Sequence, residues 1–151
     1  MIIRKMTRSD ITGITDLEKR AFSVGPYDYN MLKISYKLAK GMSLVALESH
    51  AVLGYAIAIG IDEEDADVES IAVDPLYQGR GVGKQLLLAL EDLMRSRGYI
   101  RSVLEVREKN VSAISMYTKN GYVILEFIEN YYEESFEGSR NAFRMIKNLL
   151  S

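Results

Sequence analysis

A chain of 151 residues is the size of one domain burying roughly 68–70% of its unfolded surface, and 48% hydrophobic with 26% charged residues suits a globular protein. Nineteen basic and 21 acidic residues leave a net charge of −2, which gives no support to a nucleic-acid partner. With no cysteine and one histidine, His50, disulfides, zinc–thiolate sites, a cysteine nucleophile and a histidine-rich metal centre are excluded, and no metal is expected.

The opening MIIRKMTRSD lacks the apolar core of a signal peptide. No stretch approaches the roughly 18 apolar residues of a membrane span, so a cytoplasmic protein without a membrane partner is expected. There is no repeat, low-complexity tract or linker, and residues 1–151 are expected to form one domain. IIRKM reads as a short strand. TRSD opens a helix, with Thr7 as cap and Asp10 three residues on. Ile11, Ile14, Leu17, Ala21 and Phe22 keep helical spacing on its buried face. Gly25 and Pro26 break it, and a shorter helix runs from about residue 29 to 40, ending at Gly41.

SLVALE and VLGYAIAIGI read as strands around a turn at residues 49–51, a hairpin in which His50 is an ordinary turn residue. The acidic stretch DEEDAD is expected to be a solvated hairpin tip, and the strand VESIAV follows it. A glycine-rich segment leads into a helix through Arg97, with Leu86, Leu87, Leu90, Leu93 and Met94 inward and Gly98 as its terminator. IRSVLEV is the next strand. Asn110 caps a helix ending at KNGY, where Gly121 again suits the terminator role, and VILEFI and NAFRMIKNL are the last strands. The layout is α+β around a mixed sheet.

Two stretches carry chemistry. In YQGRGVGKQLL, residues 77–87, glycines alternate and then stop where the helix begins. Unpaired amides at a helix start attract an anion, and glycine lets it approach them. A P-loop would need glycine at 78 and Ser or Thr at 85, where Gln78 and Gln85 stand. The dinucleotide fingerprint fails at Lys84, and DPLYQ separates strand from glycines. A phosphate cradle and a plain helix-starting turn both remain open. In LEVREKNVSAISMYTKNGY, Glu105 lies in an otherwise apolar strand, where an unpaired carboxylate costs on the order of several kcal/mol. It either faces solvent, pairs with a cation such as Arg107, or faces a wet cleft. Tyr117 is either core or catalyst.

Together, VESIAVDPLYQGRGVGKQLL and LEVREKNVSAISMYTKNGY resemble the GNAT superfamily of N-acetyltransferases. The resemblance is strong over residues 68–123, weaker from residue 1 to about 149, and includes NYYEE and AFRM. Within the superfamily it points to the bacterial ribosomal-protein-alanine N-acetyltransferases and the archaeal and eukaryotic N-terminal acetyltransferase catalytic subunits. It implies a mixed sheet of about seven strands with a splayed central pair, about four helices, and acetyl-CoA as co-substrate. It assigns the diphosphate to Gln78, Gly79, Arg80, Gly81, Val82, Gly83 and Lys84, and the pantetheine arm to the main chain of Ile71, Ala72 and Val73. It adds Asn110 and Tyr117 as cofactor contacts, with Glu105 as base and Tyr117 also as acid.

The resemblance also implies a protein or peptide N-terminus as the acceptor, a ribosomal protein among the candidates. That terminus would lie between FSVGPYDYN, with Pro26 and Tyr27, and NYYEESFEGSR, with Tyr131 and Tyr132. The alternative for the tyrosine pair is an exposed aromatic hinge. Relatives carry Gly-Glu-Asp-Ala before the last strand, whereas this chain has Gly138, Ser139, Arg140, Asn141 and Ala142, one residue longer and basic. A free small amine such as a polyamine is the alternative acceptor, and a silent acetyl-CoA-binding module is a third reading. The sequence names no auxiliary subunit.

Overall fold

The computed structural model describes residues 1–150. Strand β1 (Ile2–Lys5) leads through a single 3-10 turn into helix α1 (Ile11–Ala21). Asp10 accepts from the Thr7 amide at 2.7 Å and from its hydroxyl at 3.1 Å, which starts the helix as its sequence suggests. Phe22, expected on the buried face, instead lies one residue past the helix in extended, exposed backbone. Asp28 accepts from the Met31 amide and caps α2 (Tyr29–Ala39), which ends through left-handed Lys40 and Gly41.

Strands β2 (Ser43–Glu48) and β3 (Ala51–Gly60) form the expected hairpin. Its two turn residues, Ser49 and His50, both have positive φ, the conformation that matches strand twist. Strand β4 (Asp65–Val73) follows. It begins three residues earlier than the sequence suggests, because Asp62 closes the tip by accepting from the amides of Glu64 and Asp65. Asp65, Ala66 and Asp67 are therefore strand residues, and DEEDAD is not wholly a solvated tip. Helix α3 (Val82–Ser96), strand β5 (Arg101–Arg107), helix α4 (Val111–Lys119) and strands β6 (Val123–Ile128) and β7 (Ala142–Asn148) complete the chain.

The seven strands form one mixed sheet in the order β1-β2-β3-β4-β5-β7-β6. Leu86, Leu87, Leu90 and Met94 of α3 are fully buried against Ala56, Ala58, Leu104 and Met145 on one face. Each leucine contributes about 1.5–3 kcal/mol through burial. Ile11, Ile14, Leu17 and Leu32 of α1 and α2 cover Tyr55 and Ile57 on the other face. Among the described residues no helix is long and apolar enough to cross a membrane.

Two features of β4 shape the site. Ile57 and Ala58 of β3 pair with Ser70 and Val68, so Glu69 is an extra residue, a β-bulge. The parallel pairing to β5 covers only Asp65, Ala66 and Asp67, opposite Arg101, Ser102 and Val103. Past Asp67 the two strands part, and this is the expected splayed pair.

Candidate active site

Beyond the last β5 partner, residues 68 and 70–73 of β4 keep their β3 partners on one edge, with Glu69 bulged between them, and leave the other edge free in the splay. The chain then turns at Asp74, whose carboxylate accepts from the Leu76 amide at 2.9 Å and pairs with Arg20 at 2.8 Å. Gln78 ties the loop back by donating from Nε2 to the Val73 carbonyl at 3.2 Å, and the Arg80 guanidinium lies 5.2 Å from the Tyr77 ring centre.

Gly79 and Gly81 have φ of +79° and +81°, and an added Cβ at either would meet nothing within 4 Å. Their positive φ is what requires glycine here. Gln85 makes the first helical bond, to the Gly81 carbonyl, so the amides of Val82, Gly83 and Lys84 are the unpaired donors of the α3 start. The Val82 side chain is buried in the core, leaving only its main chain for a ligand. Gly83 differs from its neighbours. Its φ is not positive, and a Cβ would stand 3.3 Å from Met116 Sδ and 3.5 Å from Val73 Cγ2. Open space over unpaired amides, beside a strand with a free main-chain edge, fits a diphosphate followed by an extended amide-bearing arm.

Lys84 also lines an open hollow of about 300 Å³ with Ser112, Ser115, Met116, Lys119 and Asn120. Asn110 caps α4 by accepting from the Ala113 amide at 3.3 Å. That is a structural role its sequence position already suggests.

On the opposite side of the splay is a cleft of about 620 Å³, lined by Asp67, Glu69, Glu105, Glu126, Tyr131 and Arg144 among others. Glu105 is largely buried, and Arg144, its register partner on β7, donates from Nε to Oε2 at 2.9 Å. Glu105 therefore faces the cleft and pairs with a cation, but the cation is not Arg107. That guanidinium lies 3.9 Å from the Tyr132 ring centre and donates to the Glu134 carbonyl. Arg144 also holds Glu126.

Asp67 was missed by the sequence reading. The signal was present, since DADVES alternates polar and apolar residues with the period of a strand. Burial, then the contact with Glu105 and the charges of Glu105 and Glu69, push its carboxyl well above the usual carboxylate range. Burial raises Glu69 as well, although the Tyr27 hydroxyl donates to it at 3.3 Å.

Tyr27, Tyr131 and Tyr132 gather around these carboxylates, the last two edge to face at 4.9 Å. Pro26 is exposed on the α1–α2 loop and does not line the cleft. The Tyr132 main chain bonds Arg140 twice, amide to carbonyl and Nε to carbonyl. In place of the acidic residues of relatives, Ser139 and Asn141 donate to Glu108 at 2.6 and 3.2 Å. The acid is supplied from the other side. Tyr117 is buried against Tyr122 and does not line the cleft. Burial and Tyr132 raise its phenol, which stays protonated at neutral pH.

Behind the cleft, buried Glu18 accepts from the Tyr55 hydroxyl at 2.8 Å, and Tyr55 meets Ser70 at 2.5 Å. Burial pushes Glu18 up to about 7, and its Oε2 has no partner among the described residues.

The Acetyltransferase (GNAT) family matches residues 11–122. Over 144 residues the chain is 33% identical to the [ribosomal protein bS18]-alanine N-acetyltransferase of Haemophilus influenzae, covering 95% of this chain and 96% of that one. It superimposes on Ard1 from Thermoplasma volcanium with a TM-score of 0.90 and 26% identity, covering 99% and 98% of the two chains. The ribosomal-protein-S18-alanine N-acetyltransferase from Escherichia coli gives 0.85 and 27%, covering 98% and 93%. With its splayed strands, its glycine-opened helix start and these likenesses, the chain belongs to the GNAT family and is an acetyl-CoA-dependent acetyltransferase.

Proposed function

We propose that the acetyl group passes to the N-terminal α-amine of a protein or peptide, in the cytoplasm, with ribosomal proteins among the acceptors. The observation that carries this reading is the placement of Glu105 in a cleft flanked by two tyrosine-bearing loops, across the splay from the free amides of α3. Relatives named for alanine N-acetylation of a ribosomal protein support it.

In this proposal the amides of Val82, Gly83 and Lys84 hold the diphosphate in the space left open by Gly79 and Gly81, flanked by Gln78 and Arg80. The free edge at Ile71, Ala72 and Val73 binds the pantetheine arm, and the Asn110 amide adds a donor. Acetyl-CoA brings an activated thioester carbon. An α-amine titrates at about 7.7–8.0, so a placed carboxylate suffices to free its lone pair. Glu105 takes that proton directly or through water. Main-chain N–H groups of β4 polarise the acetyl carbonyl, and Tyr117 supplies a proton to the departing thiolate. No covalent enzyme intermediate is required, and without a cysteine a thiol relay is impossible; in this reading the amine attacks the thioester directly. Holding both reactants in line across the splay accounts for much of the rate.

A small polyamine is the second reading, favoured by the acidity of the cleft, where Asp67, Glu69, Glu105 and Glu126 face one arginine, Arg144. Acetyl-CoA turnover against short peptides differing in residues one and two, with spermidine as control, separates them. Faster turnover of a peptide supports the N-terminal reading, and faster turnover of spermidine than of every peptide overturns it.

A further inference from the structure

Asp67 and Glu105 face one cleft from two strands at the point where they part. Asp67 holds the last paired position of β4 on β5, opposite Val103, and Glu105 lies two residues further on the same face of β5. Both line the cleft, and the Asp67 carboxyl is within hydrogen-bonding reach of Glu105. Two carboxyls in such contact repel strongly when both are ionised, and one proton between them removes the repulsion and makes a hydrogen bond.

The cation at the pair is Arg144, and its Nε is committed to Glu105, so the pair's negative charge resides on Glu105 and its proton on Asp67. The other groups facing the pair do not change this assignment. Glu69 on β4 and Glu126 on β6 are further carboxylates, Asp65 is paired with Arg101, and Tyr27 and Tyr131 are phenols.

We propose that Asp67 and Glu105 form a single carboxyl pair that receives the proton of the acceptor amine, and that Asp67 is the member that carries it. This rests on the acceptor amine reaching Glu105, whichever amine it is. An ammonium entering the cleft supplies the positive charge that the pair otherwise draws from its own proton, so Asp67 releases that proton to solvent as the ammonium binds. An ammonium N–H bond then breaks at Glu105 and the proton passes across the pair, so that an Asp67 O–H bond forms. The freed nitrogen bonds to the acetyl carbon, the C–S bond breaks with its electron pair on sulfur, and Tyr117 protonates sulfur and is restored by the second proton that nitrogen loses. One proton is released overall. The raised proton affinity of Asp67 brings the pair towards the titration range of an α-amine, about 7.7–8.0, the match at which a general base works best.

The test compares wild type with Asp67→Asn, Asp67→Glu and Glu105→Gln, reading kcat and KM from about pH 6 to 9.5 on the fastest acceptor. A carbon-13 titration of the carboxyls in the free enzyme accompanies it. Asp67→Asn is expected to lose kcat by at least about tenfold with the acetyl-CoA KM unchanged. Its pH profile should follow only the amine's own titration, and the carboxyl that titrates high in wild type should vanish. Asp67→Glu should recover part of the rate and keep the enzyme's limb. Wild-type kcat and pH profile in Asp67→Asn, with Glu105→Gln slow, would overturn the pair and leave Glu105 acting alone. Wild-type rates in both variants would overturn the placement of the amine at Glu105, and with it the reading on which the pair rests.

Discussion

Gly81 and Gly83 stand two residues apart for different reasons. Gly81 needs its left-handed φ and leaves open space beyond it, whereas Gly83 is held small by Met116 and Val73. Gly81→Val should weaken acetyl-CoA binding at least about tenfold, or roughly 1.4 kcal/mol. Backbone strain should cost about 1–2 kcal/mol more in stability. Calorimetry on the folded variant checks this, and unchanged affinity would remove the loop from the site. Gly83→Val should instead lose stability first, by pushing α3 away from Met116. Both glycines were legible in the sequence as punctuation before a helix, but their difference was not, because φ and the approach of α4 are tertiary facts. For Glu105 the reading was closer to complete. Its strand and its burial problem were visible, and Glu105→Gln should cost about 10²–10⁴-fold in rate while sparing cofactor affinity. Its cation was not visible, since Arg144 reaches it only through the β5–β7 register.

At the scale of elements, the proposed acceptor side is formed by the loop before β7 and the loop between α1 and α2. Tyr132 is fixed by its main-chain bonds to Arg140 and by Arg107 over its ring, contacts that a phenylalanine keeps. Tyr→Phe at both Tyr131 and Tyr132 should therefore raise peptide KM without disturbing the loop or acetyl-CoA affinity. Steady-state kinetics with each substrate varied in turn separates the two effects. Glu18 is buried on α1 and accepts from the Tyr55 hydroxyl. Its folded value of about 7 lies above the roughly 4.3 of an exposed glutamate, so the folded protein holds a proton that the unfolded chain releases. Its stabilising contribution is full below about pH 4.3 and is lost as pH rises through about 7. Glu18→Gln should remove that loss, raising stability at about pH 8 relative to wild type by on the order of 2–3 kcal/mol. Urea unfolding at about pH 5 and 8 measures it. The sequence marked the presence and approximate bounds of both helices because apolar spacing and breakers are local, but it carried the first one residue too far, to Phe22. It misplaced the start of β4 because acidic residues on a cleft-facing strand look like a loop.

Across the whole molecule, the strand count, the mixed sheet and the hairpin were legible, since each follows from period and turn chemistry. The insertion of β7 between β5 and β6 was not. It joins residues nearly forty apart and depends on which edges remain unpaired once β4 and β5 diverge. That insertion brings Arg144 to Glu105, while the loop leading into β7 carries Tyr131 to the cleft. In the proposed reading, cofactor side and acceptor side are separate halves meeting at the splay, and the central claim is that the meeting point accepts a chain end. One peptide carrying both a free α-amine and an internal lysine tests this most directly, with acetylated positions mapped by tandem mass spectrometry after a single incubation with acetyl-CoA. Acetyl on the α-amine with the lysine left free is the predicted result, and predominant lysine acetylation would contradict it.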